Sequence, residues 1–236
     1  MDDARLRTWL DAMQEGGELM GRLRGCLERT YPGVAREGSQ HDEDAIVAEL
    51  LAGKTGTYVD VGAGPPVDCS NTWKYYQQGW RGLLIEPLYW YWPSLLHQRP
   101  GDMLYDSAVR DYDGYADLRV HGMLSSVLST WHIGENCKII VPCERMDTVL
   151  SRFPDVRDNC RLCSIDVEGV EGEVLAGIDW NTFRPDVFVI EYRTYHPDGP
   201  GEDMSSQWEH YLTEQGYRLA SRNDLNAIYH LSPEHE

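Results

Sequence analysis

At 236 residues, with 42% apolar and 25% charged residues, the chain has the size and composition of one globular domain with a real core. Its 39 acidic against 21 basic residues give a formal charge of −18, and no Lys/Arg run offsets it locally, so nucleic acid is not an expected partner. No stretch is long and apolar enough to cross a membrane, and the Met1-Asp2-Asp3 start lacks the basic, then apolar, pattern of a signal peptide; no membrane association and a cytoplasmic setting are expected.

Residues 3 to 30 place Leu6, Trp9, Leu10, Met13, Met20, Leu23 and Leu27 at helical spacing, broken by Gly16-Gly17. This predicts two helices or a kinked one, a helical extension over 1–38 that ends in a Gly33 to Gly38 linker. The main domain is expected over 39–236. Ser39 reads as an N-cap with Asp42 close to a capping box, Ile46, Val47, Leu50 and Leu51 as the buried face, and Gly53 as the stop. Tyr58, Val59 and Val61 then form a short buried strand that breaks into Gly62-Ala63-Gly64. Glycines there let a ligand approach the backbone. A pyrophosphate fingerprint needs a third glycine where Val67 stands, and two prolines precede it, which disfavours an NAD-type dehydrogenase.

Asn71 to Gln78 reads as a helix stopped by Gly79, and Leu83-Leu84-Ile85-Glu86-Pro87 as the second core strand. Glu86 stands in the region, roughly 20 residues past the glycine turn, where such folds hold ribose hydroxyls, and a carboxylate can accept both bonds of a vicinal diol. Tyr89-Trp90-Tyr91-Trp92 reads as helix-packing surface, with cover for an adenine face as the alternative. Met103 to Val109 is the expected third strand, with Asp106 and Ser107 near its end. Tyr115 to His121 and Lys138 to Pro142 alternate like edge strands or a hairpin, and Met146 to Leu150 begins a helix.

Leu162 to Gly169 is the expected fourth strand and turn, followed by a helix over Glu171 to Ile178; Asp186 to Tyr192 is the fifth strand. Thr194 to Gln207 is a long loop and lid candidate. A helix over Trp208 to Gln215 and strands at 217–219 and 227–229 close the chain. Alternating strands and helices predict an α/β fold with a doubly wound, mostly parallel sheet. Ligands of such sheets sit at the carboxyl ends of the strands, where Asp60, Glu86, Asp106, Asp166 and Glu191 converge. The six cysteines are scattered; only Cys160 and Cys163 form a CxxC, with no second pair for zinc, so reduced structural thiols are expected.

Taken together these blocks resemble the FkbM family of S-adenosylmethionine (SAM)-dependent methyltransferases from about Ser39 to Tyr192. The resemblance is carried by Ser39-Gln40 with Glu43-Asp44, by Tyr58-Val59-Asp60-Val61-Gly62-Ala63, by Ser70-Asn71-Thr72, and by Gly79-Trp80-Arg81-Gly82 before Ile85-Glu86-Pro87. It continues with Asp147-Thr148-Val149-Leu150, Ser164-Ile165-Asp166-Val167-Glu168-Gly169, and Arg184-Pro185 with Ile190-Glu191. The turn after Asp60 is similar to the Asp-x-Gly-x-Gly turn of class I, Rossmann-like SAM enzymes. Where the family often has Asn and Gly, this chain has Gly64 and Asp42.

The resemblance implies methyl transfer, usually to oxygen, on a sugar or other secondary metabolite. Its rivals are N-methylation of a small molecule or peptide and a non-catalytic SAM-binding module. Gln40, Asp60, Gly62, Gly64, Asn71, Glu86, Asp106, Ser107 and Asp166 are the expected cofactor-binding residues. Asp166, Glu168, Glu191 and His196 are the catalytic candidates. His121 and His132 are further candidate bases. Asp166 and Glu191 end neighbouring strands and could share a hard cation such as Mg²⁺. The expected partner is a small-molecule acceptor, and homo-oligomerisation is left open.

Overall fold

A computed structural model describes residues 37–120, 124–127, 137–193 and 203–235. The helices expected over 3–30, together with His121, His132, His196 and most of the lid candidate, lie outside those residues. Of the 1–38 unit only Glu37 and Gly38 are described, and both bridge to Asp68.

The chain runs through α1 (Glu43–Leu50), β1 (Thr57–Val61), α2 (Trp73–Gln77), β2 (Arg81–Ile85), α3 (Trp92–Gln98), β3 (Met103–Tyr105), β4 (Ala108–Arg110), β5 (Gly114–Val120) and β6 (Cys137–Arg145). Then come α4 (Met146–Leu150), α5 (Pro154–Asp158), β7 (Cys160–Ile165), α6 (Glu171–Ala176), β8 (Val187–Glu191), α7 (Ser205–Glu214), β9 (Tyr217–Arg222) and β10 (Asn226–Leu231). Seven strands form one sheet in the order β3-β2-β1-β7-β8-β10-β9. From β3 to β8 the pairing is parallel; β10 and β9 close the sheet antiparallel. The expected doubly wound α/β sheet is what the backbone adopts.

Alternation along each strand covers both faces. Val59, Val61, Leu83, Ile85, Cys163, Ile165, Phe188 and Ile190 join one apolar cluster. Tyr58, Leu84, Leu162, Val187 and Val189 join the other. The chain steps outward from β1 to β3, then returns to pair β7 on the other side of β1. The switch point of the sheet therefore lies between β1 and β7, above their carboxyl ends.

Two expectations need correction. The strand expected over 103–109 is two strands: β3 ends the main sheet, and β4 leaves it to pair with β6 in a separate three-stranded sheet, β4-β6-β5. The break falls at Asp106-Ser107, where the Ser107 hydroxyl donates to the Ala108 carbonyl at 2.7 Å. The segments at 115 and 138, expected as edge strands or a hairpin, form the hairpin of that second sheet. Finally, Ser39 does not stand at the N-cap of α1. That position is Asp42, with no side-chain cap bond. The reciprocal pair is instead Ser39 with Asp44: the Asp44 N–H donates to the Ser39 hydroxyl and the Ser39 N–H to the Asp44 carboxylate, both at 3.3 Å.

Arg99, at the end of α3, is 1% exposed and knits β1, β2 and the start of α2 together. Its guanidinium donates to Asp102 (2.8 Å), Thr72 (2.9 Å) and Ser70 (3.3 Å), and lies 3.8 Å from Asp60. Asp102 in turn accepts from the Tyr58 hydroxyl and the Gly82 N–H. Two buried carboxylates thus share one buried cation, and removing one member leaves uncompensated charge. Arg99→Met is expected to cost about 3–5 kcal/mol of folding free energy, read as a lower urea midpoint at unchanged m-value.

Candidate active site

The last fully paired row across the parallel strands is Tyr105, Ile85, Val61, Ile165 and Ile190. One residue further on, in the same strand order, stand Asp106, Glu86, Gly62, Asp166 and Glu191. Register alone therefore sets four carboxylates at one level around a central glycine, with neighbouring strands about 4.8 Å apart.

Gly62 is required where it stands. Its φ is +78°, and a Cβ there would lie 1.8 Å from the Asp166 carbonyl oxygen, so the β1 and β7 turns touch backbone to backbone. The Gly62 and Ala63 N–H groups both donate to the Ile85 carbonyl (3.0 and 3.2 Å), and the Asp166 N–H donates to the Val61 carbonyl. A Cβ on Gly64, at φ +50°, would meet only the Gly62 carbonyl oxygen at 3.9 Å, which leaves open space over that part of the turn.

Glu86 closes this turn. Its carboxylate accepts from the Gly64 N–H at 2.8 Å and the Leu88 N–H at 2.7 Å, while its carbonyl accepts from the Trp92 indole. Only 4% exposed, it is pushed up by burial from 4.5 to about 7, against the pull of those two N–H bonds. Each oxygen retains an acceptor direction for a ligand hydroxyl. Asp60 is committed otherwise: it accepts from Thr72 at 2.5 Å beside Arg99, and burial raises it to about 6. Asn71 donates to Ser164 at 3.1 Å, and its buried carbonyl oxygen has no partner among the described residues.

The β7–α6 turn is built around acids. Glu168 adopts a left-handed backbone, φ +58°, followed by Gly169 at +105°. Glu171, at the start of α6, grips this turn by accepting from the Val167 and Gly169 N–H groups at 3.2 and 3.0 Å. Ser126, from the segment after β5, donates to the Glu168 carbonyl at 2.7 Å and ties the second sheet to the turn. Oxygens of Asp166, Glu168 and Glu191 all lie within 4.8 Å of one another. Burial, then mutual repulsion, holds Glu168 and Glu191 well above the ordinary glutamate range; burial raises Asp166 too, although a hydrogen bond with Glu191 pulls it back.

The structure thus brings Asp60, Gly62, Gly64, Asn71, Glu86, Asp166, Glu168 and Glu191 around one crevice. Asp106 is exposed and Ser107 buried at its β3 edge, and Gln40 is half-buried ahead of α1. In the aromatic run, Tyr91 is buried, Trp90 and Trp92 pack against the second cluster, and Tyr89 is 54% exposed, so packing dominates. Cys160 and Cys163 are buried, and burial raises both thiols, in keeping with structural thiols. Two structural roles escaped the sequence. Arg99 gave only the local Arg99/Asp102 spacing as a signal. Glu43 is 1% exposed and accepts from Asn223, Asn226 and the His41 N–H at 2.6–2.8 Å. Burial would raise it, but these donors outweigh that and hold it below the usual range. It clasps α1 to β10.

A family model described as Methyltransferase FkbM domain matches residues 60–219, more than half of the chain. The chain belongs to the FkbM methyltransferase family. This FkbM protein is therefore a SAM-dependent methyltransferase. No curated protein sequence matches it. Among solved structures it is similar to the 1,6-didemethyltoxoflavin-N1-methyltransferase of Burkholderia thailandensis, solved with 1,6-didemethyltoxoflavin and S-adenosylhomocysteine: TM-score 0.48, 13% identity, 98% of this chain and 91% of that one. It is also similar to a precorrin-6y C5,15-methyltransferase from Geobacter metallireducens: TM-score 0.41, 10% identity, 79% of this chain and 86% of that one. Among the described residues, no helix is long and apolar enough to cross a membrane.

The raised Glu86 gives a pH signature. Between 4.5 and about 7 the folded protein holds a proton on Glu86 that the unfolded chain releases, so stability falls as pH rises through this window. At about 1.4 kcal/mol per pH unit between the two values, the effect is on the order of 3 kcal/mol. In ligand-free protein, urea midpoints should fall more steeply between pH 5 and pH 8 for the wild type than for Glu86→Gln.

Proposed function

We propose that this methyltransferase acts on a hydroxyl of a sugar or secondary metabolite, in the crevice above β1, β2, β7 and β8. The observation that carries the reading is the row Glu86, Gly62, Asp166, Glu191: a diol-binding carboxylate on one side of a glycine floor, a second group of carboxylates on the other. Glu86 holds the ribose hydroxyls, Gly62 and Gly64 pass beneath the amino-acid part of SAM, and Asp106 and Ser107 lie toward the adenine. Gln40, Asn71 and Asp166 flank the amino-acid end, with Asp60 fixing the turn that they share.

Methyl transfer from a sulfonium is an in-line displacement that neutralises the donor. The chain must align the acceptor and exclude water. A hydroxyl acceptor must also lose its proton, so raised carboxyls in this crevice suit general-base work near neutral pH. Asp166, Glu168 and Glu191 are the catalytic carboxylates of this reading, and His196 is a further base. Asp166 and Glu191 are the pair for a hard divalent cation such as Mg²⁺, which would acidify a bound hydroxyl. With a surface at −18, a neutral acceptor is favoured over a polyanion, and neither nucleic acid nor a membrane is a partner.

Incubation with labelled SAM and panels of glycosides, phenols and amines should yield an O-methylated product. Methylated amines alone would replace the oxygen reading with nitrogen, and SAM binding with no product across the panels would point to a non-catalytic module. By calorimetry, Glu86→Ala should weaken S-adenosylhomocysteine about 10-fold or more, through loss of charge-assisted bonds of roughly 1.5–3 kcal/mol. Unchanged affinity rejects the ribose assignment.

A further inference from the structure

The side chain of Glu168 has a feature that the turn it stands in does not need. It is 8% exposed, and its Oε2 has no hydrogen-bond partner among the described residues; the same holds for Glu191 Oε2. Both oxygens belong to residues that converge with Asp166 within 4.8 Å. The charged groups acting on Glu168 are Asp166 and Glu171, and those acting on Glu191 are Asp166, Glu168 and Glu171, all acids. Glu171 is already spent on the turn's N–H groups. Three carboxylates therefore converge with no cation beside them among the described residues.

Their delivery is rigid. Asp166 and Glu191 are set level by the Ile165–Ile190 pairing. Glu168, which converges with them, has a left-handed backbone, a conformation unfavourable for a glutamate, with the Glu171–Gly169 and Ser126 hydrogen bonds around it. Strained turns of this kind cluster at active sites and ligand clamps, and here the unpartnered, buried Glu168 Oε2 is the second observation that points to a ligand. The donor set decides the ligand: all-oxygen and anionic, with no imidazole or thiolate, it suits a hard cation. Oxygens bound at about 2.1–2.6 Å to one such ion are at most roughly 5 Å apart, which matches the observed spread.

We propose that Asp166, Glu168 and Glu191 together bind one hard divalent cation, with Glu168 as the third protein ligand that makes the site. Binding of the cation follows from these residues alone; its service to methyl transfer rests on the function proposed above. The site lies beside the glycine floor, so the remaining coordination positions face the crevice and are open to water or to acceptor oxygens.

The test uses the full chain, stripped with chelator and titrated with Mn²⁺, free ion being followed by its electron paramagnetic resonance signal, with and without S-adenosylhomocysteine. One saturable Mn²⁺ per chain is expected, displaced by excess Mg²⁺ or Ca²⁺. Glu168→Gln should weaken Mn²⁺ by about tenfold or more while leaving S-adenosylhomocysteine affinity, measured by calorimetry, as in the wild type. Glu191→Gln should weaken Mn²⁺ similarly, which serves if the first variant fails to fold. No saturable Mn²⁺ in a wild type that binds S-adenosylhomocysteine, or wild-type Mn²⁺ affinity in a folded Glu168→Gln protein, overturns the proposal. Mn²⁺ binding by a protein that ignores S-adenosylhomocysteine would sink the functional reading and leave the cation site standing.

Discussion

One geometric constraint governs the rest of this molecule: the β1 and β7 turns meet backbone against backbone at Gly62 and Asp166. No side chain fits between them. That contact holds the two halves of the parallel sheet in a single register, so the residues just past Tyr105, Ile85, Val61, Ile165 and Ile190 stand level. Because four of those five residues are acidic, the sheet concentrates negative charge at its carboxyl edge. The surrounding structure answers that charge unevenly. Near β2 it supplies backbone N–H groups to Glu86. Under Asp60 it supplies Arg99 and Thr72. Around Asp166, Glu168 and Glu191 it supplies burial and more carboxylates.

This unevenness divides the crevice by chemistry. On the β2 side, the acid is satisfied and oriented, a fixed acceptor suited to recognising hydroxyls. On the β8 side, one oxygen each of Glu168 and Glu191 lacks a hydrogen-bond partner among the described residues, which costs folding energy that a bound proton or cation would return. Folding stability and ligand binding are linked through the same few groups, and what fills the β8 side also stabilises the protein.

The strand ends were legible because their information is local. A run such as Leu83-Leu84-Ile85-Glu86-Pro87 names its own terminus, and parallel pairing then aligns termini without further instruction. Hence Glu86, Asp166 and Glu191 could be placed together from the sequence. What was not legible depends on long separations. Arg99 serves Asp60 through pairing that only the folded sheet creates, and Glu43 reaches Asn226 across most of the chain. The 103–109 segment has continuous strand character, so nothing in it announces that Ala108–Arg110 leaves for β6. The capping of α1 shows the same limit on a smaller scale: Ser39 and Asp44 satisfy each other two residues beyond the expected spacing.

The tie between the second sheet and the acidic turn bears on how a change in one can reach the other. The Ser126 hydroxyl reaches from the β5–β6 connection to the Glu168 carbonyl, and β5 and β6 are not part of the main sheet. The floor at Gly62 tolerates no added atoms, whereas Ser126 lies outside the main sheet, so its loss would loosen the Glu168 turn and leave the strand pairing untouched. A change that begins in the second sheet can therefore reach the acidic turn through this one contact, while the register of the main sheet stays as it is.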